Sequence, residues 1–183
     1  MKRISKPPDE EFQANEPIYA KEIPDDGVLT EHLVTNLEAT KKFILSIPAD
    51  KLLYRYADGK WTVKEIIMHL IEMERIYSYR MLRFARDDHA ILPGFDASKY
   101  ILMSNANERD ISDLVNELEA VRYSTIALLN GLTGEALLRK GIMRQATTDG
   151  CKCEFQSNRV RQQFFQQQGR AIRRNHVKAG AGQ

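Results

Sequence analysis

The chain has 183 residues, of which 43% are hydrophobic and 28% are charged, and its formal net charge is +2. This composition is ordinary for a soluble globular protein, and the length suits one domain with its own core. No apolar run approaches the roughly 20 residues of a membrane span, no signal-peptide core opens the chain, and the charge does not favour nucleic acid, so we expect a cytoplasmic domain without a membrane or nucleic-acid partner.

Residues 1–27 have the pattern of an extended lead-in. Pro7, Pro8, Pro17 and Pro24 interrupt any helix in this part of the chain. Several apolar side chains are available for docking on a neighbouring surface, namely Phe12, Ile18, Tyr19 and Ile23. The segment is therefore predicted to be a docked strap, with a disordered tail as the alternative.

Helix one is predicted from about Thr30 to Ile47, where Pro48 ends it. Apolar residues recur there at three- and four-residue steps, which indicates one buried face. The face consists of Leu33, Leu37, Ile44 and Ile47, widened by Val34 and Phe43. His32 lies in the first turn, where the helix dipole does not favour a protonated imidazole, so we interpret it as a surface residue.

Helix two is predicted from Val63 to about Arg86. Thr62 and Glu65 have the S/T-x-x-E form of a capping box at its start. The predicted buried face consists of Ile66, Leu70, Met73, Tyr77 and Met81. His69 lies at the edge of that face, where a hydrogen-bonded structural histidine is the common case and a metal ligand the rarer one.

A loop turned by Pro93-Gly94 follows, and helix three is predicted from about Asp110 to Gly131. His89 lies in the loop beside two aspartates, where a solvated loop is commoner than a metal site. The buried face of helix three is predicted to contain Ile111, Leu114, Val115, Leu118, Val121, Ile126 and Leu129. A short turn at Glu135 comes next.

The composition changes at about Thr147, after which Gln and Arg become frequent and apolar residues few. A fourth helix in the tail is plausible from these residue types, but its apolar stripe is weak. That stripe consists of Val160, Phe164, Phe165 and Ile172. Cys151 and Cys153 are interpreted as free loop thiols, with a metal site as the alternative. A shifted reading frame is one hypothesis for the change, and the encoding DNA tests it.

Three sequence motifs lie close together around helix two. They are P-x-x-K-L-x-Y-R-Y-x-x-G-K-W before it, W-x-V-x-E-x-x-x-H-L across its start, and L-P-G-F-D in the loop beyond it. This combination resembles the DinB/YfiT-like superfamily, and the resemblance extends to about Gly141. It implies one all-α domain, an up-down-up-down four-helix bundle with an N-terminal extended strap. The strap is 1–27, helices one to three are 28–141, and 142–183 is a divergent tail with a poorly specified fourth helix.

The resemblance also implies a metal site. In the family, one histidine from helix two and two from the last helix hold a divalent metal with open positions for water or substrate. His69 matches the first of these ligands. The paired histidines of the last helix are missing, and His176 is the candidate second ligand by its match to an H-V-K ending. Glu65 or Glu72 could supply an oxygen, although surface ion pairs are the commoner role. Zinc or nickel is the expected metal.

Two functions of different classes follow. Characterised members of the superfamily are metal-dependent thiol S-transferases and isomerases, so the resemblance implies a low-molecular-weight thiol as co-substrate and a small electrophilic substrate. The alternative is a non-catalytic helical bundle that has lost its metal and acts through protein–protein contacts, including those of a homodimer. The number of histidines that converge at the mouth of the bundle distinguishes the two, and the sequence offers two at most.

Overall fold

Three long helices dominate the computed structural model, which describes residues 3–5, 24–145 and 154–159. Helix α1 spans Leu29–Leu45, α2 spans Val63–Ala85 and α4 spans Ile111–Gly131. The ends predicted for helices one, two and three lie within two residues of these bounds. The predicted all-α bundle class is confirmed.

Helices α2 and α4 run in the same direction, because their contacts advance together along both. At the start of α2, Thr62 hydrogen-bonds to Asn107, which lies just before α4. Further along, the hydroxyl of Ser78 lies 2.5 Å from the hydroxyl of Thr125. The third long helix therefore repeats the direction of the second, which differs at this step from the strict alternation of an up-down-up-down order.

The connection between α2 and α4, residues 86–110, runs back along α2 from its C-terminal end to its N-terminal end. Helix α4 can therefore run in the same direction as α2. The connection contains helix α3 (Ala97–Leu102), whose N-terminus is capped by the Asp96 carboxylate, and a 3-10 turn at Ala106–Glu108. Three of its residues are buried in the core, namely Leu92, Ile101 and Ala106. We call this connection the crossover.

The core consists of two apolar clusters, one toward each end of α2. The first is built around Ile67, Ile71 and Leu114, and the second around Phe84 and Leu129. Tyr77 and Met81 are buried as predicted, but Ile66, Leu70 and Met73 are only half-buried. The buried face of α2 is therefore rotated from the predicted one, because helix two carries apolar residues on adjacent positions and the spacing rule fits either choice.

A buried ion pair joins α2 to α4 between the two clusters. Arg122 Nη2 donates to Glu74 Oε2 at 3.1 Å, and Arg122 Nε lies 3.0 Å from Glu74 Oε1. The exposed fractions of the two side chains are 8% for the arginine and 2% for the glutamate. Because both charges are removed from water, the loss of either one would leave the other buried without compensation.

The tail departs from a helix where the structure describes it. After helix α5 (Gly134–Leu138), strand β1 (Lys140–Gln145) pairs antiparallel with β2 (Glu154–Arg159), with Lys140 opposite Arg159. The Leu92 N–H of the crossover also donates to the Ile142 carbonyl at 3.0 Å. Both segments of the tail that the structure describes are thus strands. The apolar stripe of the possible fourth helix, Val160 to Ile172, lies outside the described residues.

The N-terminal strap is described only at its two ends. Ile4 is buried, and its N–H donates to the Gly27 carbonyl at 3.1 Å. The four side chains predicted to dock lie outside the described residues. Within the described part, no helix is long and apolar enough to cross a membrane.

Gly141 provides a test of how β1 packs on the bundle. A β carbon at this position would overlap the fully buried ring of Phe84. We expect Gly141→Ala to lower the free energy of unfolding by about 1–3 kcal/mol in chemical denaturation, because the core must shift to admit the methyl group. Gly131→Ala is the matched control, since nothing lies within 4 Å of its added carbon. Equal stability of the two variants would show that β1 does not pack on Phe84.

The buried ion pair gives a second stability test. We expect Glu74→Ala to cost about 3–5 kcal/mol in chemical denaturation, because it leaves the Arg122 charge buried without compensation. The control is Glu135→Ala, which removes the exposed partner of Arg139 and should cost less than about 1 kcal/mol. The double variant Glu74→Met with Arg122→Met should recover most of the loss. A cost below about 1 kcal/mol for Glu74→Ala would contradict a buried, dependent pair.

Candidate functional site

The first turn of α2 is locked in place by hydrogen bonds. Both bonds of the predicted capping box are present: the Glu65 N–H donates to Thr62 Oγ1 at 3.1 Å, and the Thr62 N–H donates to Glu65 Oε2 at 2.7 Å. Asn107 of the crossover adds a third contact by donating to Glu65 Oε1 at 2.9 Å. The helix that carries His69 therefore starts at a fixed position on the crossover.

The Glu65 carboxylate is occupied by these hydrogen bonds and by an ion pair with Arg55. The two guanidinium contacts with Arg55 measure 3.0 and 3.2 Å. Burial alone would raise the pKa of Glu65, but the Thr62 N–H, Arg55 and Asn107 outweigh it, and the pKa lies below its ordinary value. Of the two carboxylates that could have supplied an oxygen to a metal, Glu65 is thus the ion-paired one.

His69 lies one turn beyond Glu65 and is buried, with 5% of its surface exposed. Its ring centroid is 4.7 Å from that of Trp61, and the two ring planes are tilted by 48°. Trp61 belongs to the same motif that pointed to His69 in the sequence. The His69 imidazole is therefore enclosed and lies against the indole ring of Trp61.

Glu72 lies one turn further along α2, and its neighbourhood differs from that of Glu65. Its Oε2 is enclosed and has no hydrogen-bond partner among the described residues. Burial raises the pKa of Glu72; Arg75 opposes this shift and Glu117 adds to it. Residues three apart on a helix are neighbours on its surface, so this carboxylate stands next to His69.

The other histidines occupy different settings. His32 Nε2 lies 2.7 Å from Asp26 Oδ2 in a part-exposed pair, and His89 is 82% exposed in its loop. Both match the surface roles expected for them. His176, Cys151 and Cys153 lie outside the described residues.

The described residues fit a metal site only in part. They contain no group of three or more His, Cys, Asp or Glu side chains arranged to hold a metal. They do offer one enclosed imidazole and, one turn away, an enclosed carboxylate oxygen without a partner, and both are ligand types that zinc and nickel accept. Any further ligand has to come from residues outside the described part.

The Glu74–Arg122 pair is the feature of this region that the sequence interpretation missed. A signal was available, because Glu74 lies three residues after Ile71 and three before Tyr77, both of which are buried. A carboxylate at that spacing lies on the apolar face of the helix, where it needs a buried cation or hydrogen-bond donor as a partner. Its partner is 48 residues away in the sequence, and spacing gives no means of choosing it.

The solved structures that are similar to this fold include the following two. YfiT from Bacillus subtilis, described as "a probable metal-dependent hydrolase with an unusual four-helix bundle topology", has a TM-score of 0.58 at 16% identity, covering 91% of this chain and 85% of that one. The mycothiol-dependent maleylpyruvate isomerase has a TM-score of 0.56 at 11% identity, covering 84% of this chain and 61% of that one. At these identities the likeness shows the fold alone.

The sequence comparisons point to one family. No curated protein matches the chain in sequence. A family model described as "DinB superfamily" matches residues 32–150, which is more than half of the chain and includes α2, α4 and most of α1. The matched range contains His69 and Glu72, the two side chains around which the candidate site is built. The chain belongs to the DinB superfamily.

Proposed function

We propose that this protein binds a divalent metal through His69 and uses it in a thiol-dependent transfer reaction. The observation that carries the proposal is the enclosed Glu72 Oε2, which has no hydrogen-bond partner in the described part of the chain and lies one turn from the enclosed His69 imidazole. A bare carboxylate oxygen without a hydrogen bond is costly in an enclosed position, and a bound cation would offset that cost.

The proposed ligands are His69, Glu72 and, from the tail, His176. Imidazole nitrogen and carboxylate oxygen suit zinc or nickel, and a three-ligand set leaves positions open for a substrate. The two similar structures give the proposal its chemical direction, since one is described as metal-dependent and the other as mycothiol-dependent. A bound metal supplies the means to lower the pKa of a thiol, whose thiolate form is the nucleophile.

Metal content of the full-length protein tests the binding half of the proposal. After loading with Zn²⁺ or Ni²⁺ and dialysis, we expect about one metal per chain by mass spectrometry. His69→Ala should weaken binding by at least about 100-fold, because even changes to residues behind the ligands cost about 10–100-fold. Glu72→Gln and His176→Ala should each weaken it as well.

The part-exposed His32 and the exposed His89 provide matched controls for that experiment. His32→Ala and His89→Ala remove imidazoles of the same chemistry from surface positions and should leave the metal content unchanged. Metal retained by His69→Ala would place the site elsewhere. A wild-type protein that takes up no metal would leave the alternative, a non-catalytic bundle that acts through protein–protein contacts.

Thiol reactivity tests the second half. With metal loaded, the protein should speed the reaction of a low-molecular-weight thiol such as glutathione or cysteine with the electrophile monobromobimane. The acceleration should be larger at about pH 6.5 than at about pH 8.5, because a free thiol with a pKa of about 8.5 is almost fully protonated at the lower pH. His69→Ala should abolish the acceleration, and His89→Ala should keep it. Metal binding without acceleration for any thiol would reject the transferase and keep the metal site.

A further inference from the structure

Arg80 is a buried charge on α2 that the proposed metal site does not use. Its exposed fraction is 7%. A guanidinium stays charged at neutral pH and needs compensation when it leaves water. The other buried arginine of α2 and α4, Arg122, obtains this compensation from Glu74. For Arg80, none of the described carboxylates lies within ion-pair distance, and its one hydrogen bond goes to a backbone carbonyl.

The contacts of Arg80 hold its guanidinium in a fixed position. Nη2 donates to the Pro93 carbonyl of the crossover at 3.3 Å. The guanidinium carbon lies 5.8 Å from the centroid of the Tyr77 ring and 5.5 Å from that of Phe95. Aromatic faces at this distance attract a cation and orient it, but they accept none of its hydrogen bonds in the plane of the fork.

One edge of the guanidinium makes no hydrogen bond to the described residues. Arg80 has five N–H donors, and the described residues use one of them. Nε and Nη1 are not among the fully enclosed polar atoms that lack a partner, so both keep a path to solvent. Burial lowers the pKa of Arg80, with Tyr77 opposing the shift, but the ordinary value is high enough that the group remains charged.

We propose that this free edge of Arg80 binds the carboxylate of a small-molecule ligand. The planar fork matches two carboxylate oxygens in a bidentate pair. A single cation balances a monoanion, whereas a phosphate dianion usually calls for several donors or cations. The same ligand charge would supply the compensation that Glu74 supplies to Arg122.

This carboxylate site is separate from the proposed metal site. Arg80 follows His69 by eleven residues, which is three helical turns and about 16 Å along α2, so the two lie on the same side of the helix. The proposal does not depend on a bound metal. Its failure would leave the metal proposal untouched, and the reverse also holds.

Calorimetric titration of the full-length, metal-free protein tests the proposal with defined probes. The carboxylate probe is benzoate, its neutral counterpart is benzamide, and inorganic phosphate is the competing anion. The variants are Arg80→Met, which keeps the length of the stem without the charge, and Arg80→Lys, which keeps the charge without the fork. Arg75→Met is the matched control, because Arg75 is a half-exposed arginine on the same helix that is paired with Glu117.

We expect benzoate to bind the wild-type protein with a Kd on the order of 1–10 mM, and benzamide and phosphate to bind at least tenfold more weakly. Arg80→Met should lose at least tenfold in benzoate affinity and Arg80→Lys somewhat less, because a hydrogen bond to a charged group is worth about tenfold or more. Arg75→Met should bind as the wild type does.

Several results would overturn the proposal. They are no benzoate binding by the wild type, equal binding of benzamide, tighter binding of phosphate, and unchanged benzoate binding in Arg80→Met. Melting temperatures without ligand guard against a folding effect. Arg80→Met should melt no lower than the wild type, because it removes an uncompensated buried charge. If Arg80→Met does not fold, Arg80→Lys decides the question by its benzoate affinity. A wild type that fails to bind benzoate while Arg80→Met melts much lower would mean that Arg80 is a structural clamp.

Discussion

The ion pair between Glu74 and Arg122 sets the alignment of α2 on α4. Both charges are enclosed, so each helix can slide or rotate only as far as the pair stays intact. The hydroxyl contact of Ser78 with Thr125, one turn further along, follows from the same alignment. Because α2 carries His69, Glu72 and Arg80, this constraint between the helices also determines the positions of these three candidate binding groups.

Helix α2 is chemically divided along its length. Its first half offers an imidazole and a carboxylate, which are ligands for a cation, and its second half offers a guanidinium, which is a partner for an anion. The crossover contributes to both halves, through Asn107 at the start and Phe95 near the end.

Much of the bundle could be predicted from local sequence. Caps and three-to-four-residue apolar spacing located the three long helices, since both signals lie within the helix that they specify. The motif around Trp61 identified His69, and the structure encloses it. The rest depends on partners far apart in the chain. Spacing alone could not pair Glu74 with Arg122, could not predict that Lys140 stands opposite Arg159, and could not show that Phe95 covers Arg80.

The strand pairing fixes the point from which the rest of the tail departs. Arg139 Nη1 donates to the Ala85 carbonyl at 2.7 Å, so β1 begins at the C-terminal end of α2. Arg159 stands opposite Lys140, and the chain beyond it therefore starts at that same end. His69 lies sixteen residues back along α2, which is about 24 Å. Seventeen residues separate Arg159 from His176; as a helix they would span about 25 Å, and as an extended chain more than about 50 Å. The stretch from Arg159 to His176 is thus long enough to reach the level of His69, which the proposed ligation by His176 requires.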